Sequence, residues 1–78
     1  MLVIPKHAKR QMKKKGISED DIREAVENGE ILFEEVNGRF GLKRYSELEG
    51  LIRKLIVIWV VNKKGDKEVV TAYWRRRK

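Results

Sequence analysis

The chain has 78 residues, no cysteine, one proline and a single histidine; its 19 lysines and arginines outnumber 12 acids, giving a net charge of +7. That length allows one domain, 1–78, with a small core and no deep enclosed cleft. Without thiols there is no disulfide framework or thiolate site, and one imidazole without a carboxylate cluster makes no zinc site, so neither metal nor cofactor is expected. Met1–Ile4 is too short for a secretory signal, and the longest apolar run, Leu55–Val61, falls far below the ~20 residues of a membrane span. A cytoplasmic protein with no membrane partner follows as the expectation. With 40% charged residues, the composition resembles that of proteins from heat-loving sources.

In chain order, Pro5 suits the first turn of a helix, and Ile4, Ala8 and Met12 recur at four-residue spacing as a narrow apolar stripe. Gly16 ends that helix. Ser18 caps the next one by accepting from the Asp21 N–H, while Glu19, Asp20 and Asp21 complement its positive end. Ile17 and Ile22 form a hydrophobic staple between the helices; Ile22, Ala25 and Val26 are the inward face, and Asn28-Gly29 is the stop. After Gly29 the period becomes two. Glu30–Val36 and Arg39–Tyr45 flank Asn37-Gly38, a hairpin signal whose two-residue turn pairs Val36 with Arg39 and Phe33 with Leu42. This puts Ile31, Phe33, Phe40 and Leu42 on one face, with Glu35 beside Phe40. Ser46–Gly50 reads as a loop, Leu51–Asn62 as a central strand, and Lys67–Trp74 as a last strand. Within it, Val70, Ala72 and Trp74 point under the helices and Thr71, Tyr73 and Arg75 away. The expected fold is α+β, in the order ααββββ, with two N-terminal helices on one face of a four-stranded antiparallel sheet.

The charge is blocked along the chain. Residues 1–17 carry six bases and no acid, residues 18–37 eight acids and one base, and residues 38–78 twelve bases and four acids. Two basic blocks meeting in one small domain would attract a polyanion. The same lysines also suit a merely solvated face, and the acidic middle suits either a basic partner or helix-start chemistry. Tyr73 and Arg75, with Lys54 or Arg53 and the hairpin cation Arg44, form a face for single-stranded RNA, phosphates on the cations and a base on the phenol. Arg76 in the basic tail, and Arg10, Gln11 and Lys14 on the first helix, extend the candidate nucleic-acid contacts. A structural reading stands beside it: Tyr73 as a cap on the core edge and Arg75 as a solvated group. Glu47 and Glu49 read as solvated loop acids, and Trp59 and Trp74 as core anchors.

His7-Ala8, Met12, Lys15-Gly16-Ile17-Ser18 before an acidic helix, and the closing Thr71-Ala72-Tyr73-Trp74 resemble a family of small prokaryotic domains of unknown function. That family is grouped with RelE/ParE-like toxins of toxin–antitoxin pairs. The resemblance spans residues 7–27 and 55–74. It implies helices followed by a curved antiparallel sheet, and metal-independent endonucleolytic cleavage of mRNA, often on the ribosome, blocked by a cognate antitoxin. Such cleavage uses the 2′-OH as nucleophile and needs a base, an acid and cations for the phosphate. His7, Tyr73 and Arg75 are the catalytic candidates; for His7 the alternative is a helix-start contact to a carbonyl or to Trp59 or Trp74. Gln11 stands where the family usually has Arg, and Arg10 lies about 100° round the helix from it. The competing expectation is a non-catalytic module for nucleic acid or a partner protein, or a degenerate or gyrase-directed toxin homologue. A free sheet edge would also support a homodimer.

Overall fold

Both helices are set by local chemistry. In the computed structural model, which describes residues 1–37, 41–50 and 52–76, α1 spans Lys6–Lys15 and α2 spans Glu19–Asn28. Pro5 sits one step outside the predicted first turn, as the extended N-cap of α1, and provides no side-chain cap. Gly16 closes α1 in the left-handed region at φ 69°, where a side chain would be strained. The Ser18 hydroxyl accepts from the Asp21 N–H at 3.1 Å while the Asp21 carboxylate accepts from the Ser18 N–H, a reciprocal capping box. Ile17 and Ile22 are both buried, as the staple requires.

Among the described residues, five strands follow the sheet order β1-β5-β4-β3-β2, with β1 at Leu2–Val3, β2 at Glu30–Asn37, β3 at Gly41–Leu48, β4 at Arg53–Val61 and β5 at Lys67–Arg76. The sheet is therefore mixed and five-stranded rather than four-stranded and antiparallel. The added strand is β1, which pairs parallel with β5 through Leu2–Lys67 and Val3–Glu68. Two residues carry no periodicity, so only tertiary pairing reveals them.

The core lies between the helices and one sheet face. Ala8 and Met12 of α1, and Ile22, Ala25 and Val26 of α2, pack with Leu55, Val57 and Trp59 of β4 and Val69 and Ala72 of β5; Trp74 is packed against them, partly buried. Here Val69, not Val70, enters the core. Ile58 pairs with Thr71 but Trp59 with Val69, a bulge that makes Val70 the extra residue and shifts the alternation by one. Trp59 is a core anchor as expected, and its indole N–H donates to the buried Ser46 hydroxyl at 2.8 Å. Ser46, Glu47 and Leu48 thus belong to β3 rather than to a loop.

The hairpin register also departs from expectation. Asn37 pairs with Gly41, Val36 with Leu42 and Phe33 with Tyr45, so the connection is 38–40 and not the two-residue turn. The expected contacts of Arg39 and Phe40 lie outside the described residues. A second register shift lies between Ile31, which pairs with Ser46, and Phe33, which pairs with Tyr45; the expected facing of the Phe33 side chain lies outside what is described. Gly29 is needed for a different reason from Gly16. Its φ of −72° suits any residue, but an added Cβ would lie 2.3 Å from the Ala25 carbonyl oxygen and 2.7 Å from that of Glu47. The end of α2 therefore rests backbone to backbone on β3.

Candidate nucleic-acid interface

Helix α1 turns Ala8 and Met12 inward, which leaves Lys6, His7, Lys9, Arg10, Gln11, Lys13 and Lys14 exposed. His7, Gln11 and Lys14 share one line at i, i+4 and i+7, with Arg10 beside them. No acid sits in the first turn of this helix, so Lys6 and Lys9 add positive charge to its positive end. The three lysines of the last turn are placed favourably. One of them is fixed: Lys15 Nζ donates to the Ala72 carbonyl at 3.0 Å, while Trp74 Nε1 donates to the Lys15 carbonyl at 2.7 Å. This lock brings the lysine end of α1 to the end of β5.

Directly after Trp74, β5 carries Arg75 and Arg76, both exposed. The register sets Arg75 opposite Lys54 and Arg76 opposite Arg53. Like charges directly opposed across a ladder are destabilising, and the two successive pairs put Lys54 and Arg75 on the face away from the helices and Arg53 and Arg76 on the helix side, at the end of β5 to which Lys15 ties α1. Arg53 lies over the Trp74 ring at 3.9 Å, a cation–π contact that fixes its stem. Lys54 meets Glu47 at 3.4 Å and Glu49 at 3.6 Å. The reading of Glu47 as a solvated loop acid is thereby corrected: it is 9% exposed, sits in β3 and holds Lys54.

Tyr73 is 38% exposed and points away from the helices, in register with Ile56 on the face that also holds Arg75 and Lys54. Tyr45 shares that face; its hydroxyl donates to Glu35 at 3.3 Å. Burial, and then the Glu35 carboxylate and Tyr73, hold the Tyr45 phenol above its ordinary pKa. Arg44 is elsewhere: it pairs with Glu34 at 3.1 Å and lies 5.1 Å from the Trp59 ring centre on the helix side. It is committed to the fold rather than to the candidate surface.

The three catalytic candidates are not one cluster. His7 is exposed and lines a cavity of about 180 Å³ with Lys43, Val60, Glu68, Val69 and Val70. Lys43 and Glu68 both pair with Val60, whereas Tyr73 pairs with Ile56, four residues back along β4. That separation is roughly 13 Å of strand. Arg75 groups with Tyr73, and His7 with Lys43 and Glu68. Sequence reasoning missed Glu68 and the pocket because the bulge that brings Val70 to it has no local signal; Lys43 was visible only as one more hairpin cation.

Among the described residues no helix is long and apolar enough to cross a membrane. Compared with known proteins, residues 4–74 match the model of a domain of unknown function, DUF4258. No curated protein and no solved structure matches the chain significantly.

Proposed function

Because the chain belongs to the DUF4258 family, a domain of unknown function, its activity has to be read from its own surface, and we propose that it is a toxin-like RNA-binding protein. Single-stranded RNA runs over the outer face of α1 and the end of β5, phosphates on Arg10, Lys13, Lys14, Arg75 and Arg76. The observation that carries this reading is two successive pairs of opposed like charges, Arg53 with Arg76 and Arg75 with Lys54, the last of which Glu47 and Glu49 also hold, next to the lysine end of α1. A fold that only needed solubility would gain nothing from cations facing one another across a ladder; a bound phosphate relieves that repulsion. Lysines at the positive end of α1 point the same way.

A second reading, metal-independent mRNA cleavage in a RelE/ParE-like manner, is favoured by Tyr73 and Arg75 sharing one face two residues apart. There the guanidinium would hold the phosphate and the phenol would protonate the leaving oxygen or stack a base. His7 is then a contact to a neighbouring nucleotide rather than the partner of Tyr73. A cognate antitoxin and the cytoplasm are the partner and location that go with this reading.

The binding test is anisotropy of a labelled single-stranded RNA across a salt series. Wild type should show a steep loss of affinity with salt, and Arg75→Ala/Arg76→Ala should lower the log–log slope by about 0.7 for each phosphate contact removed. Salt-insensitive binding by wild type would overturn the proposal. Cleavage is tested in cells by inducing wild type and Tyr73→Phe and mapping mRNA ends by primer extension. New ends that vanish in the variant establish it, and their absence in wild type leaves a binding module.

A further inference from the structure

We propose that the cavity lined by His7 of α1 and by Lys43, Val60, Glu68, Val69 and Val70 of the sheet is a base-reading pocket that takes one extruded guanine of the bound RNA; this rests on the RNA-binding reading. Val60, Val69 and Val70 supply apolar walls, and His7, Lys43 and Glu68 supply the polar groups. About 180 Å³ is too small for a drug-sized ligand and suits a single planar ring system. The pocket sits where β1 stops pairing, just past Glu68, and where the β5 bulge brings adjacent Val69 and Val70 to the same cavity.

The register decides the ligand. Lys43 and Glu68 flank Val60 on the two neighbouring strands, so their backbones stand roughly 10 Å apart, two strand spacings, with room for a base between them. A carboxylate on one side accepts from two adjacent N–H groups, and an ammonium on the other donates to acceptors. Guanine presents this pattern in one plane: N1–H and the N2 amine on its pairing edge, and O6 and N7 on the adjoining major-groove edge. Adenine and cytosine offer an amine without the adjacent imino N–H, and uracil an imino N–H without the amine. Asn62 Nδ2 donates to Glu68 Oε1 at 3.4 Å, which orients the carboxylate. His7 lies on the same α1 line as the proposed phosphate contacts, so a strand following that line passes the mouth of the pocket.

The test measures wild-type binding to short oligouridylates carrying one guanosine, adenosine, cytidine or abasic site. The guanosine oligomer should bind about tenfold more tightly than the others, as one well-made bidentate contact allows. Glu68→Gln and Val70→Phe, the second filling the cavity from a half-buried position, should erase that preference while the salt slope and thermal melt stay unchanged. Equal binding of all four oligomers with a normal salt slope overturns the pocket and leaves the RNA reading intact. If wild type binds none of them, the RNA reading fails. Guanosine monophosphate is then titrated while the His7 imidazole and Val70 methyl resonances are followed: saturable shifts uphold the pocket, and no shift overturns it.

Discussion

The two helices face opposite problems of charge. At the start of α2 the charge is answered: Glu19, Asp20 and Asp21 sit at its positive end, Ser18 and Asp21 cap each other, and Arg23 pairs with Asp20 at 3.5 Å. Around α1 the first turn has cations where acids would stabilise it and no side-chain cap, and the nearby end of the sheet opposes Lys54 to Arg75 and Arg53 to Arg76. Both regions bury an apolar stripe against the same sheet face. The difference teaches that the start of α2 is matched to its own chain, whereas the start of α1 and the end of β5 carry cations that oppose the helix dipole and one another. Substitutions should therefore separate: changes in and around α2 cost stability, and changes on the outer face of α1 cost ligand affinity.

The largest effect is expected from Ile22→Ala, which opens a hole between α2 and β4 and should cost about 2–5 kcal/mol in denaturant unfolding. Next comes simultaneous reversal of Arg10, Lys13 and Lys14 to Glu. It should weaken RNA binding by about a hundredfold at low salt and move the melting temperature little; a large loss of stability instead would erase the contrast between the helices. Gly29→Ala drives a Cβ against two carbonyl oxygens and should cost about 1–3 kcal/mol through displacement of α2 from β3, read as a lower denaturant midpoint at unchanged m. Removing the cap with Ser18→Ala should cost about 1 kcal/mol and leave RNA binding unaltered. The smallest effect concerns Tyr45, whose folded pKa is raised. Its contribution to stability is fully present below about pH 10 and is lost as pH rises through the folded value. Tyr45→Phe should remove the latest step from the phenolate absorbance titration.

The helices were legible because their signals are local. A cap, a staple, a left-handed glycine and a four-residue stripe each depend on neighbours within one turn, and all four hold. What failed involved counting across strands. The Asn37-Gly38 signal is genuine turn chemistry, but the pairing of Asn37 with Gly41 shows the sheet choosing a longer connection. A single bulge at Val70 moved Val69 into the core and produced the pocket wall, and no residue in that stretch announces it. Charge was legible as a sum and not as partners: Arg44 and Lys54 look alike in the sequence as RNA contacts, yet one is tied to Glu34 and Trp59 and the other to Glu47 and Glu49. The exposure of Arg10 and Lys14 on α1 was legible because the four-residue stripe of Ala8 and Met12 fixes which side of that helix turns inward.

The lock between Lys15 and the Ala72–Trp74 segment joins positions 57 and 59 residues apart, and β1 must wait for Lys67 and Glu68 before it has anything to pair with. As the chain emerges from a ribosome, α1 is made first but cannot be locked to the sheet until β5 is out, since contacts this distant in sequence form late. A nascent chain therefore cannot assemble the cationic surface formed by the lysine end of α1 and the end of β5 until β5 itself has been made. The same dependence means that loss of a few residues from the end of β5 would silence that surface while leaving every charge on α1 in place.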